Sequence, residues 1–283
     1  MHETIAVVFD FDDTLAPDTT TGFLRHSGLV DASRFWKEEV DPLITREDWD
    51  PVPAYLYRMI EAGRSGCIPP ITRERLADWG RRAPLHPGVE TLFARLRAAV
   101  RETHPRVQLE FYVISSGIGD VLRATRIAHE FTQIWASEFH YGSDGQAVFV
   151  RRVISFTDKT RYLFHVQKGL IGPDHVGRPF EVNRKLSPEQ IRVPFRQMIF
   201  VGDGYTDIPC FSLLRQHGGI PIAVYDRHRE DKWGSAFQFV RDGRVANLHA
   251  ANYAEDSDLS NFLVMAVRSL ATDIALAART YQG

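Results

Sequence analysis

The chain has 283 residues, 44% of them hydrophobic and 25% charged, with 34 Lys and Arg against 36 Asp and Glu for a formal net charge of −2 at pH 7. This composition is that of a globular protein able to bury a core, and the length fits one large domain or two modest ones, which excludes a largely disordered chain. No basic excess is available to neutralise a phosphate backbone, so nucleic acid is not the expected partner.

Residues 5–9 (IAVVF) form an apolar, β-branched run that predicts a buried strand. The run begins too early for a secretory leader, so the cytoplasm is the expected compartment. Residues 17–83 are rich in Trp, Arg and Pro and show helical spacing around 32–39, 54–61 and 72–79. They predict an inserted helical module, punctuated by Ala16-Pro17 and by Ala83-Pro84. Its aromatic residues Phe23, Phe35, Trp36, Trp49, Tyr55 and Trp79 are expected to form the module's own core. Arg25, Arg46, Arg58 and Arg64 are expected to decorate a solvated face.

Further along, Val89, Leu92, Phe93 and Leu96 predict a helix over 88–100, followed by a strand at 109–114 and a second helix over 118–129. Ser143-Asp144-Gly145 predicts a hairpin over 139–154, and the Gly, Pro and charge of 168–194 predict a long surface excursion. Strands follow at 198–201 and 220–224. The apolar stretch 262–278 is interrupted by Arg268 and Asp273 and falls short of the ~20 apolar residues that cross a bilayer, so no membrane span is expected. Strands alternating with helices predict an α/β fold, a three-layer Rossmann-like parallel sheet covered on both faces.

The chemistry-bearing residues sit just after the predicted strands: Asp10 and Asp12 after the first, Ser115 after the second, and Asp203 and Asp207 after the third. Ligands of open α/β sheets bind beyond the carboxyl ends of the strands, so these side chains should converge. Clustered carboxylates repel one another unless a cation neutralises them. Carboxylate oxygens suit Mg²⁺, with Asp10 and Asp203 as direct ligands. The spacing of Asp10 and Asp12 lets one carboxylate act as nucleophile and the other transfer protons. The Ser115 hydroxyl, the amides of Ser116 and Gly117 at the opening of a helix, and the Lys159 ammonium suit a dianionic phosphoryl group. Asp13 reads as a turn residue. A dinucleotide loop fails because the third glycine of GxGxxG would fall at Leu122. The 11 histidines show no HExxH spacing, and Cys67 and Cys210 form no CxxC pair, so no zinc site or disulfide framework is read.

In this order, Asp10-Phe11-Asp12-Asp13-Thr14, Ser115, Lys159 and Gly202-Asp203-Gly204-Tyr205-Thr206-Asp207 resemble the four motifs of the haloacid dehalogenase superfamily, specifically its phosphoserine phosphatase-like phosphatases. The resemblance implies a catalytic core of residues 1–16 and 84–283 and a helical cap of residues 17–83. It implies hydrolysis of a small phosphomonoester with Asp10 as nucleophile, forming a phosphoaspartate, and Asp12 as general acid and base. Thr14 would orient the loop. Phe11, Asp12, Ser115, Ser116, Gly117 and Lys159 would hold the phosphoryl group. Mg²⁺ would be bound by Asp10, Asp203 and the Asp12 carbonyl, with Asp207 ordering Lys159 or a water.

The sequence departs from phosphoserine phosphatases at Thr19, where they carry a cap-entry Glu, which makes phosphoserine itself doubtful as substrate. Asp18 could substitute or could cap a helix. The alternatives are transfer to an acceptor other than water, as in mutases of the superfamily, and a non-enzymatic, receiver-like phosphoacceptor. A true dehalogenase fits less well, because Asp12 and Asp203 suit phosphoryl chemistry and metal binding.

Overall fold

The computed structural model describes residues 3–227 and 237–280. Seven strands form one sheet: β1 (Thr4–Phe9), β2 (Gln108–Ile118), β3 (Gln133–Tyr141), β4 (Ala147–Arg152), β5 (Met198–Gly202), β6 (Ile220–Tyr225) and β7 (Asn247–Ala250). Their order is β4-β3-β2-β1-β5-β6-β7, and every pairing is parallel except the antiparallel β3–β4 edge.

The sequence of β1 explains its central place. Ile5, Val7 and Phe9 are buried in the apolar cluster on one face of the sheet, and Ala6 and Val8 in the cluster on the other. A strand apolar on both faces has to be covered on both. Helices Val89–Thr103 and Asp258–Thr280 cover the first face, and helices Asp158–Lys168 and Ile208–Gln216 the second. The helix Asp258–Thr280 is long and apolar enough to cross a membrane by length and composition. Here its Leu259, Leu263, Val267 and Ile274 are buried and the helix packs against Val89–Thr103.

Between β1 and helix Val89–Thr103 the chain runs through helices Thr19–His26, Pro51–Arg64 and Arg73–Arg82, with a π-helical stretch at Phe35–Val40. The π-helical stretch and the helices Pro51–Arg64 and Arg73–Arg82 match the helical spacing around 32–39, 54–61 and 72–79, whereas helix Thr19–His26 has no counterpart in that spacing. The expectation of a separate aromatic core is corrected. Phe23, Phe35 and Leu56 belong to the same buried cluster as Phe9 and Phe93, while Trp36, Trp49 and Trp79 pack against its edge. Residues 168–194 form the expected excursion, with single 3₁₀ turns at Pro173–His175, Glu181–Asn183 and Pro188–Gln190.

The helix expected over 118–129 is also corrected. β2 continues to Ile118, the helix spans only Gly119–Leu122, and Thr125 then turns the chain by donating its hydroxyl to the Leu122 carbonyl at 2.8 Å. Val121, Leu122 and Ile127 reach burial without a continuous helix, so their spacing misleads. The β3–β4 hairpin is present, but β3 begins at Gln133, and β7 has no counterpart in the predicted strands.

The loop after β1 is braced from behind. His86 N–H donates to the Leu15 carbonyl (2.9 Å), Tyr253 N–H to the Pro87 carbonyl (2.7 Å), and the Tyr253 hydroxyl to the Thr14 carbonyl (3.0 Å). Gly88 turns this corner at φ +79°, and a Cβ there would lie 2.2 Å from the Tyr253 carbonyl carbon. Both the backbone angle and the contact exclude a side chain. Gly88→Ala is therefore expected to lower stability by about 1–3 kcal/mol, read as an earlier urea unfolding midpoint; an unchanged midpoint would refute this bracing.

Candidate active site

β1 lies between β2 and β5, with Phe9 level with Val113 and Val201. Asp10 and Asp203 therefore leave the sheet at two neighbouring strand ends, where the chain order reverses from β2 to β5 on either side of β1. This is the switch point at which open α/β sheets bind ligands. Ser115, expected just after its strand, instead lies within β2, which runs on past the end of β1 to Ile118.

Asp10 is buried and tightly engaged. Its Oδ1 accepts the Phe11 amide at 2.6 Å, and its Oδ2 accepts from Lys159 Nζ at 2.8 Å. Lys159 lies in the first turn of helix Asp158–Lys168, a position that taken alone reads as exposed, yet it is 0% exposed. Its Nζ also donates to Asp207 Oδ1 at 2.6 Å. Burial disfavours the charged ammonium, but the adjacent Asp10 and Asp207 outweigh burial and raise the Lys159 pKa well above its ordinary value. Asp207 is pushed up to about 6, chiefly by burial, with the Lys159 charge opposing. Its Oδ2 accepts the Gly204 amide at 3.1 Å.

Asp10, Asp203 and Asp207 each place a carboxylate oxygen within 4.8 Å of the others, a cluster able to hold a metal ion. An all-oxygen, carboxylate donor set of this kind suits a hard divalent cation. The Asp12 side chain is not part of the cluster; its Oδ1 instead accepts from the Thr19 amide at 2.7 Å and the Thr19 hydroxyl at 2.6 Å. Burial, reinforced by the neighbouring Asp18 charge, lifts the Asp12 carboxyl to about 8 against the opposing Thr19 hydrogen bonds. A carboxyl in that range holds a proton near neutral pH.

Ser115 is fully buried, and its Oγ accepts from the Gly117 amide at 3.1 Å. That amide is thus engaged by Ser115. Ser116 and Gly117 lie in β2 and not at the opening of a helix, because the strand persists to Ile118. The Ser116 hydroxyl is buried with no hydrogen-bond partner among the described residues, and its carbonyl accepts from the Tyr55 hydroxyl at 2.7 Å. Phe11 contributes its backbone amide to Asp10 while its ring sits in the core. Thr14 is buried with its hydroxyl unpartnered among the described residues, and it is the Thr14 carbonyl that ties the loop to Tyr253. Asp13 adopts a left-handed turn at φ 55°, in keeping with a turn role.

Asp18 caps helix Thr19–His26, accepting from the Thr21 amide at 2.9 Å and the Thr21 hydroxyl at 2.6 Å. It also lines, with Asp13, Pro17, Thr21, Arg25, Trp36 and Asp226, a cleft of ≈ 650 Å³. Sequence reasoning placed Trp36, Tyr55 and Trp79 in a core and gave Thr19 and Tyr253 no part in the site. The structure sets Trp36 at the cleft wall, Tyr55 on the end of β2, and Thr19 on Asp12. No local sequence signal marks these contacts, each of which joins distant segments or crosses a turn.

Residues 7–212 match the family model of haloacid dehalogenase-like hydrolases, and the chain belongs to that family. An uncharacterized protein of Borreliella burgdorferi is 23% identical over 92% of this chain and 95% of its own length. A HAD family hydrolase from Salmonella enterica serovar Typhi superposes with a TM-score of 0.54 at 14% identity, covering 87% of this chain; this chain spans 66% of that one. A phosphoserine phosphatase solved as a phospho-aspartyl intermediate analogue superposes with a TM-score of 0.51 at 16% identity, covering 92% of this chain and 97% of that one. These likenesses show a shared fold.

The ammonium of Lys159 is what allows Asp10 and Asp207 to be buried side by side. Lys159→Met should therefore cost about 3–5 kcal/mol of stability, the scale for stranding a buried charge, as measured by denaturant unfolding. A variant as stable as the parent would contradict the pairing.

Proposed function

We propose that the chain is a Mg²⁺-dependent phosphatase that hydrolyses a small phosphomonoester through a phosphoaspartate on Asp10. The observation that carries this reading is the meeting of Asp10, Asp203, Asp207 and the buried Lys159 at one end of the sheet. The phosphatase fold neighbours and the family match support it.

In this reading a carboxylate oxygen of Asp10 forms a bond to phosphorus as the bond to the ester oxygen breaks, and Asp12 passes its proton to the departing alkoxide. Water then attacks the phosphoaspartate, Asp12 takes the proton back, and inorganic phosphate leaves with Asp10 restored. Lys159 holds Asp10 in place and would present positive charge to the phosphoryl oxygens, and the Ser115 hydroxyl would donate to one of them. In-line transfer of this kind needs chiefly positioning and charge stabilisation. Asp10, Asp203 and the Asp12 carbonyl would hold Mg²⁺, with Asp207 beside them, and the ion would neutralise charge on the transferred group.

Residues 17–83 would act as the cap over a core of 1–16 and 84–283, walling the cleft and excluding bulk water. An Asp12 carboxyl lifted to about 8 is a proton donor that an ester hydrolase uses and a receiver-like phosphoacceptor does not need. This favours hydrolysis over the signalling alternative.

A screen of small phosphomonoesters tests the proposal. Turnover should require Mg²⁺ and stop in excess chelator, and Asp10→Asn should lower it by at least ~10³-fold with an unaltered circular dichroism spectrum. Undiminished activity in chelator, or wild-type rates in Asp10→Asn, would refute it.

A further inference from the structure

A general acid has to aim one particular oxygen at the leaving group, and a free carboxyl rotates. Asp12 is not free. Both hydrogen bonds from Thr19, 2.7 Å from the amide and 2.6 Å from the hydroxyl, land on the same oxygen, Oδ1. The other oxygen, Oδ2, lies over the end of β2: a Cβ built on Gly117 would meet it at 2.4 Å and Ser115 Oγ at 3.3 Å. Oδ2 therefore faces the groups proposed to hold the phosphoryl moiety.

From this geometry we infer that Thr19 is a positioning residue that fixes which Asp12 oxygen carries the catalytic proton. An oxygen accepting two donors has no room for a proton of its own, so in the protonated carboxyl the proton is confined to Oδ2. Thr19 is itself held. Its carbonyl accepts from Trp79 Nε1 at 2.9 Å, and it begins a helix whose first turn is capped by Asp18. Trp79, Thr19 and Asp12 form a relay of position from helix Arg73–Arg82 to the reacting centre. The Thr19 hydroxyl is turned inward onto Asp12.

This inference rests on the phosphatase reading and deepens it. The test compares p-nitrophenyl phosphate with phenyl phosphate, esters of similar shape whose leaving groups differ in their need for a proton. kcat/KM reports the steps up to release of the phenol, so it isolates the transfer in which Asp12 acts as acid. Thr19→Val retains the backbone donor and the branched shape but removes the hydroxyl donor.

For phenyl phosphate, kcat/KM should fall about 10- to 100-fold in Thr19→Val, a fraction of what general acid catalysis supplies. For p-nitrophenyl phosphate the fall should stay below about 3-fold, because that leaving group departs with little protonation. Thr19→Ser should restore the phenyl phosphate value to within about 3-fold. Equal losses on both esters, no loss on either, or failure of serine to rescue would overturn the role of Thr19 while leaving the phosphatase reading intact. A wild-type chain that cleaves neither of these esters nor any phosphomonoester of the screen would overturn both.

Discussion

Everything at the carboxyl end of the sheet depends on one buried ion triad, the Lys159 ammonium between Asp10 and Asp207. Burying a carboxylate without a partner costs several kcal/mol, and two side by side cost more. A single ammonium removes much of that penalty yet leaves the triad one negative charge in excess, and Asp203 adds another. The pocket is thus short of positive charge by about what a divalent cation brings. With such an ion in place it can accept a dianionic group without net repulsion. The same electrostatics that let the fold close over these residues prepare the site for its proposed substrate.

The scaffold brings these groups together around the end of β1. β1 is apolar on both faces, so it takes the centre of the sheet; β5 ends beside it, and β2 runs on past it to Ile118. The segment between β1 and helix Val89–Thr103 shares the main apolar cluster. It reaches the site through Tyr55 on Ser116, Trp79 on Thr19, and Thr19 on Asp12. The helices around the cleft are thereby coupled to the Asp12 side chain by specific hydrogen bonds as well as by apolar packing.

How much of this could be read from the chain follows from how local each signal is. The strands β1, β5 and β6 are short apolar runs with no competing periodicity, and the order of Asp10, Ser115, Lys159 and Asp203 carries the family pattern. β3 was legible only in its hairpin half, since Gln133, Ser137 and Glu138 interrupt its apolar residues. β7 spans four residues of intermediate burial and has no alternation to detect. The spacing of Val121, Leu122 and Ile127 imitates a helix because burial, and not helical continuity, sets it. Lys159 resembles an exposed residue in a first helical turn until the helix is docked on the sheet. The parts played by Thr19, Tyr55 and Tyr253 depend on side-chain direction, which sequence spacing does not encode.

The central claim is that phosphorus bonds to Asp10 at this triad, and mapping the phosphoryl group tests it most directly. The protein would be mixed with Mg²⁺ and a phosphomonoester that it turns over, quenched in acid within milliseconds, digested, and analysed by mass spectrometry. The account predicts one phosphoryl group on the peptide containing Asp10, absent without Mg²⁺ and absent from Asp10→Asn. Turnover accompanied by a phosphoryl group on Ser115, or on no residue at any quench time, would contradict it.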